Sequence, residues 1–76
     1  MTTFTAFTNS QNGDVYPRLD ILLDYKEGDK LYMSVQNNEG KYVRTHFEVI
    51  ERMEDVISTY VHNPWIEREF RIMKID

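Results

Sequence analysis

Residues 26–49 read KEGDKLYMSVQNNEGKYVRTHFEV, and this stretch decides the fold. Residues 26–28 (KEG) and 38–40 (NEG) each suit a three-residue hairpin loop, a type I turn followed by a glycine at positive φ. After each loop, apolar and polar residues alternate with the two-residue period of a half-buried strand. The stretch therefore predicts two antiparallel strands, near residues 30–37 and 41–49.

The two loops also fix which residues of neighbouring strands face each other, because side chains alternate between the two faces of a sheet. Tyr25 would pair with Asp29, and Asn37 with Lys41. On one face this register collects a nearly continuous apolar set: Leu19, Ile21, Leu23, Leu31, Met33, Val35, Val43, Thr45 and Phe47. The opposite face, called the outer face, carries Arg18, Asp20, Leu22, Tyr32, Ser34, Gln36, Tyr42, Arg44 and His46.

The pair Asn12-Gly13 predicts the first hairpin, because both residues tolerate positive φ at the centre of a two-residue type I′ turn. This turn would join a strand near residues 3–10 to one near residues 15–25. Pro17 cannot donate a hydrogen bond to a neighbouring strand, so a break or bulge is expected early in the second strand.

After residue 50 the spacing of apolar residues changes to that of one helical stripe. The stripe consists of Met53, Val56, Ile57, Tyr60 and Val61. Acidic residues crowd its beginning, where the helix dipole favours negative charge, and Asn63-Pro64 would end it. A helix of about three turns is therefore expected on the apolar face of the sheet.

Residues 66–75 alternate again and predict a fifth strand, either beside the first strand or at an edge of the sheet. The expected fold class is α+β, with a single curved antiparallel sheet: a four-stranded meander, then one helix and a fifth strand, in the order β-β-β-β-α-β. At 76 residues, the whole chain (1–76) is expected to form a single domain.

Composition narrows the classes of function. The chain has 13 acidic and 9 basic residues, a net charge of −4 that disfavours non-specific attraction to nucleic acids or anionic membranes. Without cysteine, it can form neither a disulfide nor a thiolate metal site. The N-terminal residues lack a basic and apolar leader, and no apolar run is long enough to cross a membrane. A cytoplasmic protein with no membrane partner is therefore expected.

No pattern of chemically active residues predicts catalysis. His46 and His62 have no HExxH-type partner. The carboxylates alternate with apolar residues on the exposed sides of predicted strands, where solvation disfavours general acid catalysis at neutral pH. The serines lack the context of a nucleophile elbow. No enzyme activity, cofactor or metal is expected.

The outer face is the strongest candidate for a functional surface. Tyrosine and arginine dominate protein interfaces, and a solvated face could do without so many of them. The candidate binding residues are Arg18, Leu22, Tyr32, Tyr42, Arg44 and His46. Alternatively, the fifth strand or loops cover this face, or the tyrosines are simply good strand formers. We interpret the chain as a small non-enzymatic protein-binding or regulatory protein, accessory or inhibitor-like, whose outer face could also join two copies in a homodimer.

A second interpretation uses the same residues to bind single-stranded nucleic acid. The aromatic rings would stack on bases, and the arginines would hold phosphates. Asp20, Asp24 and Glu48 are all expected on the outer face, and they would repel phosphates, as would the negative net charge. Nucleic acid is therefore the less favoured partner.

Residues 62–65 (HNPW) form a second, weaker candidate contact, with His62 and Trp65 as its contact residues. Trp65 would follow the end of the helix, where a tryptophan usually fills the end of a small core. This loop is expected to contact a partner only if Trp65 is exposed.

Overall fold

The computed structural model describes residues 2–59 and 61–75. These residues form five strands and no helix: β1 (Thr2–Asn9), β2 (Lys30–Gln36), β3 (Tyr42–Arg52), β4 (Val56–Ser58) and β5 (Trp65–Lys74). All five belong to one mixed sheet with the order β1-β5-β3-β2, in which β4 also pairs with β5. The expected α+β fold, with a helix on a purely antiparallel sheet, is therefore wrong.

Strand β5 lies in the middle of this sheet. On one side it runs parallel to β1, from the pair Thr2 and Trp65 to the pair Asn9 and Ile72. On its other side it runs antiparallel to β4 along its first residues and to β3 along its last ones. The last strand therefore lies beside the first, as one of the two expected placements had it, but in the parallel direction.

Residues 53–61 do not form the expected helix. Instead, β3 continues past its end along β5: the Met53 amide donates to the Glu69 carbonyl at 3.0 Å, and β4 then pairs with the first residues of β5. The apolar residues of the expected stripe are largely exposed, with Val56, Ile57 and Val61 at 55%, 60% and 88%. Tyr60 lies outside the described residues.

Two extra residues in this long strand explain the wrong prediction. The register along β5 shifts by one residue between Val49 and Glu51, and it has shifted once more by Val56, which faces Glu67. Each extra residue interrupts the alternation of side chains between the two faces. The second of these interruptions lies between Met53 and Val56, and Val61 lies beyond β4 in a turn, so the apolar residues of the stripe do not keep a two-residue period.

The expected second strand, residues 15–25, is also absent. The backbone of this segment pairs with that of β1 at two isolated bridges, between Val15 and Thr8 and between Leu19 and Thr5. The break expected at Pro17 lies between the two bridges. Beyond it, the segment packs Leu23 and Tyr25 against the core instead of extending the sheet.

The β2–β3 hairpin has the register that the sequence predicts. Lys30 faces Glu48, and Gln36 faces Tyr42, with every pair between them as expected. In the connecting loop, Gly40 has a φ of 80°. The Asn37 amide donates to the Lys41 carbonyl at 2.8 Å, which closes the loop as the sequence predicts.

The core lies on one face of the sheet, beneath residues 15–25. Its buried side chains are Phe7, Phe47, Val49, Phe70 and Ile72. The Phe70 ring stacks on that of Phe7, with centroids 5.9 Å apart, and meets the Tyr25 ring edge-on at 5.4 Å. Residues 15–25 thus serve as the cover of this face rather than as a strand of the sheet.

The guanidinium of Arg68 fastens this cover to the sheet. The Arg68 side chain on β5 is 13% exposed and donates through Nε and Nη2 to the two carboxylate oxygens of Asp55, at 2.9 and 3.1 Å. Its Nη1 donates to the Leu23 carbonyl at 3.0 Å. The neighbouring Thr5 hydroxyl donates to the Ile21 carbonyl and accepts from the Leu23 amide.

Replacing Arg68 should therefore weaken the fold. Arg68→Met retains much of the apolar stem but leaves the Asp55 carboxylate and the Leu23 carbonyl without this donor. We expect a loss of about 2 kcal/mol in the free energy of unfolding, measured by urea denaturation. The control is Arg71→Met, which removes an exposed ion pair and should cost less than about 1 kcal/mol. Equal losses would contradict the anchoring role of Arg68.

The ion pair between Asp55 and Arg68 should make the free energy of unfolding depend on pH in acid. The hydrogen bonds from Arg68 hold the pKa of Asp55 below its usual value of 3.8. A carboxylate whose pKa is lowered by folding stabilises the protein above its unfolded pKa, and this contribution is lost as the pH falls through the folded pKa. The difference in unfolding free energy between the natural chain and Asp55→Asn should therefore shrink below about pH 4. A difference that is the same at pH 7 and in acid would contradict this prediction.

Candidate interaction surface

Three of the predicted binding residues meet on the outer face of the β2–β3 hairpin. Tyr32 faces His46 across the two strands, and their rings meet edge-on with centroids 5.9 Å apart. The Arg44 guanidinium lies over the Tyr32 ring, with Cζ 4.7 Å from its centroid. Tyr42 lies two residues before Arg44 and so shares its face. Tyr32, Tyr42, Arg44 and His46 are called the hairpin cluster below.

The local sequence directs these side chains outward. Along β2, half-buried and exposed residues alternate, and Leu31, Met33 and Val35 pack towards the core. Tyr32, between Leu31 and Met33, consequently faces away from the core. The cross-strand register then places His46 beside it, so the cluster is held by two regular strands rather than by a flexible loop.

The hairpin cluster is open to solvent. Tyr32 is 61% exposed and Tyr42 is 73% exposed, and Arg44 and His46 are exposed as well. Neither β5 nor a described loop covers these side chains, which removes the alternative of a covered face for these four residues. Large exposed aromatic rings beside an arginine are typical of protein interfaces.

Arg44 differs from the other arginines in its electrostatic partners. Each of the others has a carboxylate: Arg18 has Glu67, Arg52 has Asp24, Arg68 has Asp55 and Arg71 has Glu51. Across residues 2–59 and 61–75, no carboxylate forms an ion pair with Arg44; it contacts the Tyr32 ring instead. Its charge is therefore available to a partner.

Two predicted binding residues lie elsewhere. The Arg18 guanidinium covers the Phe4 ring, 4.4 Å from its centroid, and Nη1 donates to Glu67 Oε2 at 2.9 Å. Leu22 is half-buried in the segment that crosses the core. Both were assigned to the outer face as parts of a second strand that does not form. The Phe4 partner of Arg18 was missed because the predicted register of the first hairpin put Phe4 on the core face, whereas the bridge between Thr5 and Leu19 comes with a buried Thr5 and so turns Phe4 away from the core.

One of the expected acidic neighbours also lies elsewhere. Asp24 Oδ1 lies 3.4 Å from Arg52 and 3.8 Å from Arg68, in the segment that covers the core. Glu48 remains on the hairpin, opposite Lys30. The surroundings of the cluster are therefore less acidic than the sequence predicts.

A small cavity adjoins the hairpin cluster. It has a volume of about 240 Å³ and is lined by Lys30, Leu31, Tyr32, His46 and Ile75. Ile75 forms one wall because its amide donates to the His46 carbonyl at 2.9 Å, which continues the pairing of the chain end with β3. The aliphatic and aromatic lining suits a small apolar side chain.

A larger cleft of about 500 Å³ separates the loop after β1 from the tip of the β2–β3 hairpin. Its amide side chains are used within their own turns. Asn9 donates through Nδ2 to the Tyr16 hydroxyl and accepts from the Gln11 amide. Asn37 Oδ1 accepts from the Glu39 and Lys41 amides. These polar groups are accounted for by the stability of the turns, so we assign no ligand to the cleft.

The second candidate contact receives little support. Trp65 begins β5, pairs with Thr2 and Ser58 on either side, and is half-buried. His62 is exposed in the preceding turn. The exposure of Trp65 on which this contact depends is thus incomplete.

The part of the chain that the structure describes shows neither a cluster of metal ligands nor a membrane-spanning helix. There, no three histidine, aspartate or glutamate side chains lie close enough together to hold a metal ion. The same residues include no helix that is long and apolar enough to span a membrane.

Comparisons with protein-family models, with curated proteins and with solved structures found no match to this chain. Function is therefore inferred from the hairpin cluster and its surroundings alone.

Removal of the hairpin cluster should leave the fold intact. In the triple variant Tyr32→Ala, Tyr42→Ala, Arg44→Ala, exposed side chains and the ring contacts of Tyr32 with Arg44 and His46 are lost, so the unfolding free energy should fall by no more than about 1–2 kcal/mol. The control Ile72→Ala creates a cavity in the core and should cost about 2–5 kcal/mol. Urea denaturation of both variants provides the comparison. A loss in the triple variant as large as that of the control would show that the cluster supports the fold.

Proposed function

We propose that this chain is a small non-enzymatic binding or regulatory protein, accessory or inhibitor-like, that contacts another protein through the hairpin cluster. The observation that supports this most is the Arg44 guanidinium stacked on an exposed Tyr32 ring. Tyrosine and arginine are enriched among the residues that contribute most binding energy. Because two strands hold them in place, little side-chain freedom is lost on binding.

Single-stranded nucleic acid is the second candidate partner. The position of Asp24, away from the cluster, favours it because an expected repulsive charge is absent there. Two observations favour a protein instead. The adjoining cavity has the aliphatic walls Leu31 and Ile75, which suit an apolar side chain better than a nucleotide, and the net charge of −4 opposes a polyanion.

The proposal includes a cytoplasmic location, which the absence of cysteine fits because disulfides are rare in reducing compartments. It also includes a partner different from the chain itself. A homodimer through the same cluster is the competing arrangement, and it predicts a concentration-dependent doubling of mass.

Site-specific photocrosslinking should identify the partner. With p-benzoylphenylalanine in place of Tyr42, irradiation in a lysate of the native cells should give one defined protein adduct, identified by mass spectrometry. Adding Tyr32→Ala and Arg44→Ala should abolish it, because both remove contact area and charge from the cluster. The control carries the same photoreactive residue at Val61, an exposed position in the β4–β5 turn, and should not give that adduct.

Three results would contradict this assignment. An adduct that persists after Tyr32→Ala and Arg44→Ala would exclude the cluster as the binding site. An adduct with a second copy of the chain would show a homodimer. Arg44-dependent binding to an oligothymidylate, with an affinity that falls steeply as salt is raised, would favour the nucleic-acid candidate.

A further inference from the structure

We propose that the hairpin cluster recognises an acidic peptide segment, in which a carboxylate binds Arg44 and a neighbouring apolar side chain enters the cavity beside Tyr32. This inference rests on the proposed function, and it specifies the chemistry of the partner.

Arg44 differs from the other arginines because no carboxylate in the described part of the chain balances its charge. Arg18, Arg52, Arg68 and Arg71 are each neutralised by a carboxylate of the chain itself. Arg44 has none among the described residues, and neither do Lys30 and Lys41 on the same hairpin. Although the net charge of the chain is −4, the outer face of this hairpin thus presents an unpaired guanidinium, and the carboxylate of Glu48 on the same strands lies opposite Lys30. A partner that supplies a negative charge there completes the pairing that the other arginines already have.

The Arg44 guanidinium is held in an orientation that suits a carboxylate. A guanidinium can form two parallel hydrogen bonds to one carboxylate, whereas an ammonium group acts as a point charge. Stacking on Tyr32, at 4.7 Å from the ring centroid, restricts the orientation of the Arg44 guanidinium before a partner arrives. Arg44 therefore loses less conformational entropy on binding than a freely moving arginine side chain would. Among the groups of a protein, a planar carboxylate best matches the two parallel N–H donors of a guanidinium held in this orientation.

The cavity beside Tyr32 offers a place for an apolar side chain of the partner. The cavity of about 240 Å³ shares Tyr32 and His46 with the cluster, and Leu31 and Ile75 complete its walls. It is too small for a folded element but suits one side chain of an extended segment. A carboxylate and an apolar side chain close together in one peptide would therefore engage both features.

This combination favours a peptide over a nucleic acid. Phosphates would also attract Arg44, but a nucleotide has no aliphatic side chain to fill a cavity walled by Leu31 and Ile75.

Selection from a random displayed peptide library tests the inference without knowledge of the natural partner. The natural chain is the bait, and the triple variant Tyr32→Ala, Tyr42→Ala, Arg44→Ala removes peptides that bind elsewhere. The retained peptides should carry aspartate or glutamate close to an apolar residue. For a synthetic peptide of this set, replacement of its acidic residue by the amide should weaken binding at least about tenfold in fluorescence anisotropy.

Variants of the protein provide matched controls. Arg44→Gln should weaken binding of the same peptide at least about tenfold, and Arg44→Lys should weaken it too, because the two-pronged hydrogen bond is lost. Arg71→Gln should leave binding unchanged, since Arg71 is already paired with Glu51.

The outcomes separate this inference from the proposed function. Cluster-dependent peptides that are neutral or basic would overturn the acidic partner and leave protein binding by the cluster intact. A library in which no peptide distinguishes the natural chain from the triple variant would count against both. Arg44-dependent binding to oligothymidylate that is tighter than to any selected peptide would also overturn both.

Discussion

The pairing of β5 with strands on both of its edges is the constraint on which the rest of the structure depends. It joins the first and last strands of the chain in parallel on one side and carries the long bulged strand of β3 and β4 on the other. Phe70 and Ile72 of β5 consequently lie at the centre of the core, with no measurable exposure. Because these contacts are distant in sequence, the core forms only when β1 and β5 are both in place.

The two faces of this sheet differ in whether another segment of the chain covers them. The core face is closed by residues 15–25, which Arg68 and Thr5 fasten through hydrogen bonds to backbone groups. The outer face of the β2–β3 hairpin receives no such cover, and Tyr32 and Tyr42 remain exposed there. Side chains that stabilise the fold and side chains available to a partner are thus largely separate, so changes to one set can be studied without loss of the other.

The sequence predicts local features well and distant ones poorly. The β2–β3 register and the joint placement of Tyr32 and His46 follow from a short loop closed by Gly40, a signal contained within a few residues. The helix over residues 53–61 was wrong because a bulge breaks the two-residue period of the strand there, and the strand over residues 15–25 was wrong because the segment leaves the sheet after Pro17. That second error misplaced Arg18 and Leu22. The sequence offers a place beside β1 as one of two placements for β5, but nothing local in it sets the parallel direction of that pairing.

The most direct test of this arrangement is the assignment of backbone NMR signals for residues 53–61 and for β1 and β5. The structure requires Cα and Cβ chemical shifts typical of extended backbone through Val56–Ser58, together with nuclear Overhauser contacts between the backbones of β1 and β5 near Thr5 and Arg68. Helical shifts throughout residues 53–61 without contacts between β1 and β5 would contradict it. The central position of β5 would then have to be abandoned, whereas the face of the hairpin cluster, which follows from the β2–β3 register, would not.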